Sequence, residues 1–194
     1  MVLYAAGAGL ADLNVYGRLL LATVGWQRGD WMSAYYPVDL PAEWRLAYYA
    51  NDCGCVLLRS DSWLGMNREA LQESLDEAEG RLVYFLEAPP RWDSLARDRL
   101  SLFAACRAVL LTERPDPIQA QLPQWASQGP GTWVDRDSGA GLLCWSLDSW
   151  NMRALRSRVG TLAPDICALV VDGPVASPAR VPELRTLLEL LSRA

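Results

Sequence analysis

Short apolar runs separated by longer amphipathic stretches constrain this chain more than any other feature. Residues 19–24, 55–60 (CVLLRS), 82–86 (LVYFL), 109–112 and 166–171 (ICALVV) are too short for helices. They also lack the apolar–polar alternation of a strand with one wet face, so they read as strands buried on both sides. Between them, residues 40–51, 67–79 and 93–108 carry apolar side chains at helical spacing, with Pro41 suited to a first turn and Gly80 to a stop. Pro115, Pro117, Pro123 and Pro130 then break up the chain. Residues 132–134 and 142–146 are two further strand candidates around a glycine turn. Asp148 or Ser149 can cap a helix running to about Val159, and residues 181–192 form a closing helix.

Alternating strands and helices predict an α/β fold with parallel strands and crossover helices. Six or seven mostly parallel strands are expected in a single domain spanning residues 1–194, with strands one to three in sequential order. A complete eight-fold barrel typically needs about 250 residues. An irregular or incompletely closed TIM-like (β/α) barrel is therefore expected, with an open doubly wound sheet as the alternative.

Composition restricts the chemistry. The chain has no histidine, and all 18 of its basic residues are arginine. It thus lacks the commonest acid–base group, the commonest metal ligand and any Schiff-base amine. A net charge of −5 without a basic run argues against nucleic acid. Cys53, Cys55, Cys106, Cys144 and Cys167 are odd in number and not spaced for a zinc site, so no metal and no cofactor are expected. Reduced thiols, a poor match to a secretory leader around Asp12 and no membrane-length apolar run fit a cytoplasmic protein. The AGAG segment at residues 6–9 precedes the first clear strand instead of following one, so it is no phosphate loop.

One stretch is more particular than a generic core. Gly25-Trp26 ends the first strand, and Trp31, Tyr35-Tyr36-Pro37, Leu40-Pro41 and a segment with Trp44, Tyr48 and Tyr49 follow. Downstream stand FLEAP at residues 85–89, Gln121-Leu122-Pro123, CWSLDSW at 144–150 and Val171-Asp172-Gly173-Pro174. This order resembles the domain of unknown function 72 family, a TIM-barrel-like family without an established activity, most of all over residues 20–63. The resemblance implies a barrel whose function sits at the strand C-terminal ends. There the chain departs from the family pattern. Leu57 and Arg59 replace its glutamate and asparagine, and Glu87 its lysine. Cys144, Ser146 and Leu147 replace its glutamate, arginine and histidine. The aromatic framework is kept and the polar cleft residues are exchanged.

The candidate cleft comprises Trp26, Arg28, Trp31, Arg59, Asp61, Trp63, Glu87, Asp135, Asp148, Trp150 and Asp172, each at or just beyond an expected strand end. Carboxylates there could divide acid and base roles, or they could be loop residues, helix caps and arginine partners. Asp148 reads first as a cap. Tryptophans at a barrel mouth could stack on a ligand, anchor a protein or plug the opening. Arg59 should pair with Asp61 or Glu87, because a partly buried guanidinium needs an acceptor. No residue is assigned a catalytic role. The expected function is a non-catalytic barrel binding a small molecule or a protein, with no membrane or nucleic-acid partner. A carboxylate-dependent hydrolase acting on a small polar substrate is the alternative.

Overall fold

In the computed structural model, which describes residues 19–116 and 122–191, the apolar runs join one eight-stranded sheet. Its strands are β1 (Leu20–Thr23), β2 (Cys55–Leu58), β3 (Val83–Glu87), β4 (Arg107–Thr112), β5 (Gln124–Gly129), β6 (Thr132–Val134), β7 (Gly141–Ser146) and β8 (Ile166–Asp172). The order is β1-β8-β7-β6-β5-β4-β3-β2, and the two ends meet at a single parallel bridge between Val24 and Leu57. The sheet is therefore a nearly closed, TIM-like barrel. Strands one to three follow one another around it, although β1 and β2 share that bridge alone and no continuous ladder.

Side-chain alternation explains why the strands show no polar face. Ala22, Leu57, Phe85, Val109, Trp125, Leu142 and Val170 belong to one core made of strand residues alone. Leu21, Val56, Leu58, Tyr84, Leu86, Leu110, Leu169 and Val171 belong to a second core shared with the helices. Successive residues thus fill the barrel interior and the helix-covered outside in turn, and both directions are apolar.

Among the described residues six α-helices accompany the sheet: α1 (Arg45–Tyr49), α2 (Ser60–Gly65), α3 (Arg68–Glu77), α4 (Ser94–Ser101), α5 (Met152–Gly160) and α6 (Val181–Leu190). Asn67 caps α3 by accepting from Ala70 N–H, and Asp93 caps α4 by accepting from Ala96 N–H. The leucine stripe of α6 packs Leu184, Leu187 and Leu188 into the outer core. Among the described residues no helix is long and apolar enough to cross a membrane.

Several expectations need correction. The described residues form eight strands, because QWASQG at residues 124–129 forms β5 with only Trp125 and Ala126 buried, too few to mark it in sequence. β6 runs antiparallel to β5 and β7, so the glycine turn after it closes a hairpin with β7, and β5 and β6 form a second one. The first helix is confined to Arg45–Tyr49, and the preceding residues form turns such as Trp44 N–H to Pro41 C=O. The helical stretch 93–108 shortens to α4, a 3-10 turn at Leu102–Ala105 and the start of β4. Residues 6–9, Asp12, Gln121 and Ser192 lie outside the described residues.

The seam between β1 and β2 is closed largely by one side chain. Backbone bonds run from Gly54 N–H to Leu21 C=O (3.0 Å) and from Gly25 N–H to Leu57 C=O (2.8 Å). Between them the Tyr49 hydroxyl accepts from Thr23 N–H at 2.9 Å and lies 3.3 Å from the Cys55 carbonyl oxygen and 3.4 Å from that of Thr23. Tyr49 is fully buried, and burial holds its phenol well above the ordinary range. The phenol is thus a neutral donor and acceptor standing in for ladder bonds that the two strands do not make.

Candidate functional site

The inward alternation continues one step past the apolar interior and ends in charge. Arg59 lies two residues beyond Leu57, Glu87 two beyond Phe85, and Asp172 two beyond Val170. All three therefore meet at the C-terminal rim. The Arg59 guanidinium donates to Glu87 Oε1 and, at 2.9 Å, to Asp172 Oδ2. Asp172 Oδ1 accepts from Gly173 N–H at 2.7 Å. The side chains of Arg59, Glu87 and Asp172 are 38%, 24% and 34% exposed, so the cluster is half in solvent. Burial works against the Arg59 charge, but the two carboxylates outweigh it and its pKa is raised. The triad carries +1 and −2, a net −1.

Cys144, two residues beyond Leu142 on β7 and opposite Val170, lies close enough to the triad to feel its charges. Burial pushes its thiol up to about 12; Arg59 opposes that shift, while Asp172 and Glu87 add to it. A thiol so held is no nucleophile at neutral pH.

The aromatic framework supports the rim from outside and below. Trp63, on α2, is buried and donates its indole N–H to the Glu87 carbonyl oxygen at 3.1 Å, fixing the end of β3. Trp26 is buried, and its carbonyl oxygen accepts from the Tyr36 hydroxyl at 2.6 Å. Trp31, also buried, donates to the Ala176 carbonyl oxygen at 3.1 Å. Arg28 forks onto both oxygens of Asp30 (3.0 and 2.8 Å), donates to the Gly173 carbonyl oxygen (2.7 Å) and stacks over Trp31. The Arg28 hydrogen bonds hold the Asp30 carboxyl below its ordinary pKa. Residues 26–31 are thereby strapped to the loop after β8. Gly173 makes that loop possible: at φ +103° a Cβ would lie 2.3 Å from the Leu147 carbonyl oxygen.

The remaining candidates separate from the triad. Asp61 is exposed in the first turn of α2, where Ser62 Oγ donates to it at 3.4 Å, and Arg59 turns to Glu87 and Asp172 instead. Asp135 is at the opposite end of the barrel, because the antiparallel β6 delivers its C-terminus where the parallel strands begin. There its carboxylate accepts from Ser138 Oγ at 2.6 Å and Asp137 N–H at 3.3 Å within a turn. Asp148 is exposed and caps nothing: Asn151 caps α5, accepting from Arg153 and Ala154 N–H. Trp150 donates to Glu183 Oε2 at 2.9 Å and lies under the Arg180 guanidinium, 5.3 Å from its ring centroid.

Reading strand ends did not find Arg180, Glu183 or Tyr49, which sit on or beside helices. Among the described residues no group of three or more cysteine, aspartate or glutamate side chains converges to hold a metal.

No protein-family model matches the chain, and no curated protein matches it. A solved structure of a domain of unknown function 72 family protein from Thermotoga maritima is similar. It is 10% identical, with 90% of this chain and 99% of that one covered, at a TM-score of 0.48. The family in that description is the one that the residue 20–63 framework resembles.

Proposed function

We propose that this chain is a non-catalytic barrel whose C-terminal rim binds a small polar molecule. The observation that carries this reading is the single Arg59 guanidinium shared by Glu87 and Asp172. A carboxylate pair that works as acid and base keeps a gap for water or a scissile bond, typically about 5–10 Å. Here the guanidinium occupies that gap. The rim instead offers two acceptors, a planar donor and a net negative charge, which suit a neutral or amine-bearing ligand rich in hydrogen-bond donors.

A thermal-shift screen of polyols, amides and amines, run beside a hydrolase screen with and without chelator, tests the reading. The expected result is a ligand that raises the melting temperature without turnover, and whose effect Glu87→Gln weakens. Turnover abolished by Asp172→Asn would replace this reading with the carboxylate hydrolase. A complete absence of ligands would remove the small-molecule reading.

A further inference from the structure

A second site lies beside the rim, between the strap at residues 28–34 and the loop joining β8 to α6. A shallow groove of about 400 Å³ opens there, with Trp31, Ala34, Pro174 and Val175 among its apolar lining and Asp30 and Arg180 at its polar edges. That volume is at the small end of ligand pockets. Its two charged residues differ in how they are satisfied. Asp30 is held by both arms of Arg28 and is neutralised by it. Arg180 is partly buried, stacks on Trp150 and has no carboxylate within ion-pair distance among the described residues. Glu183, the nearest acid along α6, directs its Oε2 to the Trp150 indole.

A guanidinium packed over an indole is restrained by it while its N–H groups can still reach an acceptor. Placed at the edge of an apolar groove, it is half of a charge-assisted pair that lacks its other half. Ser177, also in the lining, spends its oxygen as an acceptor for Ala179 N–H and keeps its hydroxyl proton to donate.

We infer that this groove binds a small organic anion, its carboxylate or phosphate forked onto Arg180 and its apolar body lying along Pro174 and Val175. The site is distinct from the Arg59 triad, which is net negative and would repel such a ligand.

The test is amide chemical-shift titration of the full chain with benzoate, phenyl phosphate and, as neutral control, benzamide. Benzoate or phenyl phosphate should shift residues 30–34 and 174–180 saturably in the millimolar range or tighter, and benzamide should not. Whichever of the two binds more tightly identifies the anion. Arg180→Gln should weaken binding about tenfold or more, since it removes a charge-assisted fork. Arg180→Lys should recover part of it, and Glu87→Gln should leave it unchanged, separating this site from the rim. Ala34→Phe provides a second route, filling the groove without touching Arg180, and should also abolish binding. The inference is overturned if neither anion binds, if benzamide binds equally well, or if Arg180→Gln, folded by its amide spectrum, binds as the wild type does.

Discussion

The β2–β3–β4 ladder and the β1–β2 seam join strands of similar length by different means. In the ladder the register is unbroken, from Cys55 opposite Val83 and Arg107 to Leu58 opposite Leu86 and Leu110. Backbone groups pair with backbone groups, and the side chains have only to pack. In the seam, one bridge, carrying the Gly25 N–H to Leu57 C=O bond, and one further bond from Gly54 N–H to Leu21 C=O leave the middle to the Tyr49 phenol. At the rim above it, Arg59 from the end of β2 reaches past β1 to Asp172 of β8. Where short strands fail to bring two sheet edges into register, polar side chains supply the joint. The rim charges are thus structural members of the closure.

The largest expected effect comes from alkali, and it should strike the seam first. Cys53 and Cys55 flank the Tyr49 joint and are almost wholly buried. Burial pushes the Cys53 thiol up to about 12 and Cys55 well above its usual value near 9.0. A raised folded pKa means that the stability is fully present below the unfolded value and is lost as pH climbs toward the folded one. Each such thiol contributes a slope of about 1.4 kcal/mol per pH unit above roughly pH 9. With no lysine or histidine in the chain, little else titrates between pH 7 and that point. Melting temperature should therefore stay nearly flat from about pH 7 to 8.5 and fall steeply above about 9. Amide exchange at Thr23 and Gly25 should accelerate before that at Phe85 and Val109, which lie within the ladder. Simultaneous loss of protection in both regions would mean that the seam is no weaker than the ladder.

This contrast also marks what could be read from residues alone. Buried strands are short and apolar, so β2, β3, β4 and β8 announce themselves, and their C-terminal ends carry Arg59, Glu87 and Asp172 to one rim. Tyr49 is different. Its partners, Thr23 and Cys55, are 26 and 6 residues away, and they become neighbours only because the barrel closes imperfectly. Direction was equally hidden. Nothing in Thr132–Val134 says that it runs antiparallel, and one reversed strand is enough to send Asp135 to the wrong end. Asp148 and Asn151 are both chemically good caps, and only the loop path after β7 selects the second.

Next in size is a pair of identical substitutions on opposite sides of the comparison. Tyr49→Phe leaves the buried Thr23 N–H without its partner, at a cost of about 1–3 kcal/mol. For a chain of this length, that is a fall in melting temperature of roughly 3–10 °C. Tyr84, in the ladder, has a buried hydroxyl with no hydrogen-bond partner among the described residues. Tyr84→Phe removes an unsatisfied group and should be neutral or slightly stabilising. Equal melting temperatures for the two variants would show that the phenol joint contributes nothing beyond packing.

The smallest effect should come from the rim pair that crosses the seam. Arg59 and Asp172 are 38% and 34% exposed, so solvent screens much of their attraction, and a surface-like value must be discounted accordingly. A double-mutant cycle with Arg59→Met and Asp172→Asn should give a coupling of about 0.5–1 kcal/mol. The sharing of one guanidinium with Glu87 lifts it above an isolated pair. Arg68 and Asp98, a 3.2 Å pair with both side chains 42% exposed in which Asp98 is likewise shared, with Arg99, are the more exposed control, and their cycle should read lower. Salt separates the two further. Raising ionic strength from about 0.1 to 1 M shortens the screening length from about 10 to 3 Å. Because Arg59 and Asp172 are held in hydrogen-bond contact over an apolar interior, part of their coupling should survive that change. If the two cycles agree at low salt, the rim charges do not brace the seam.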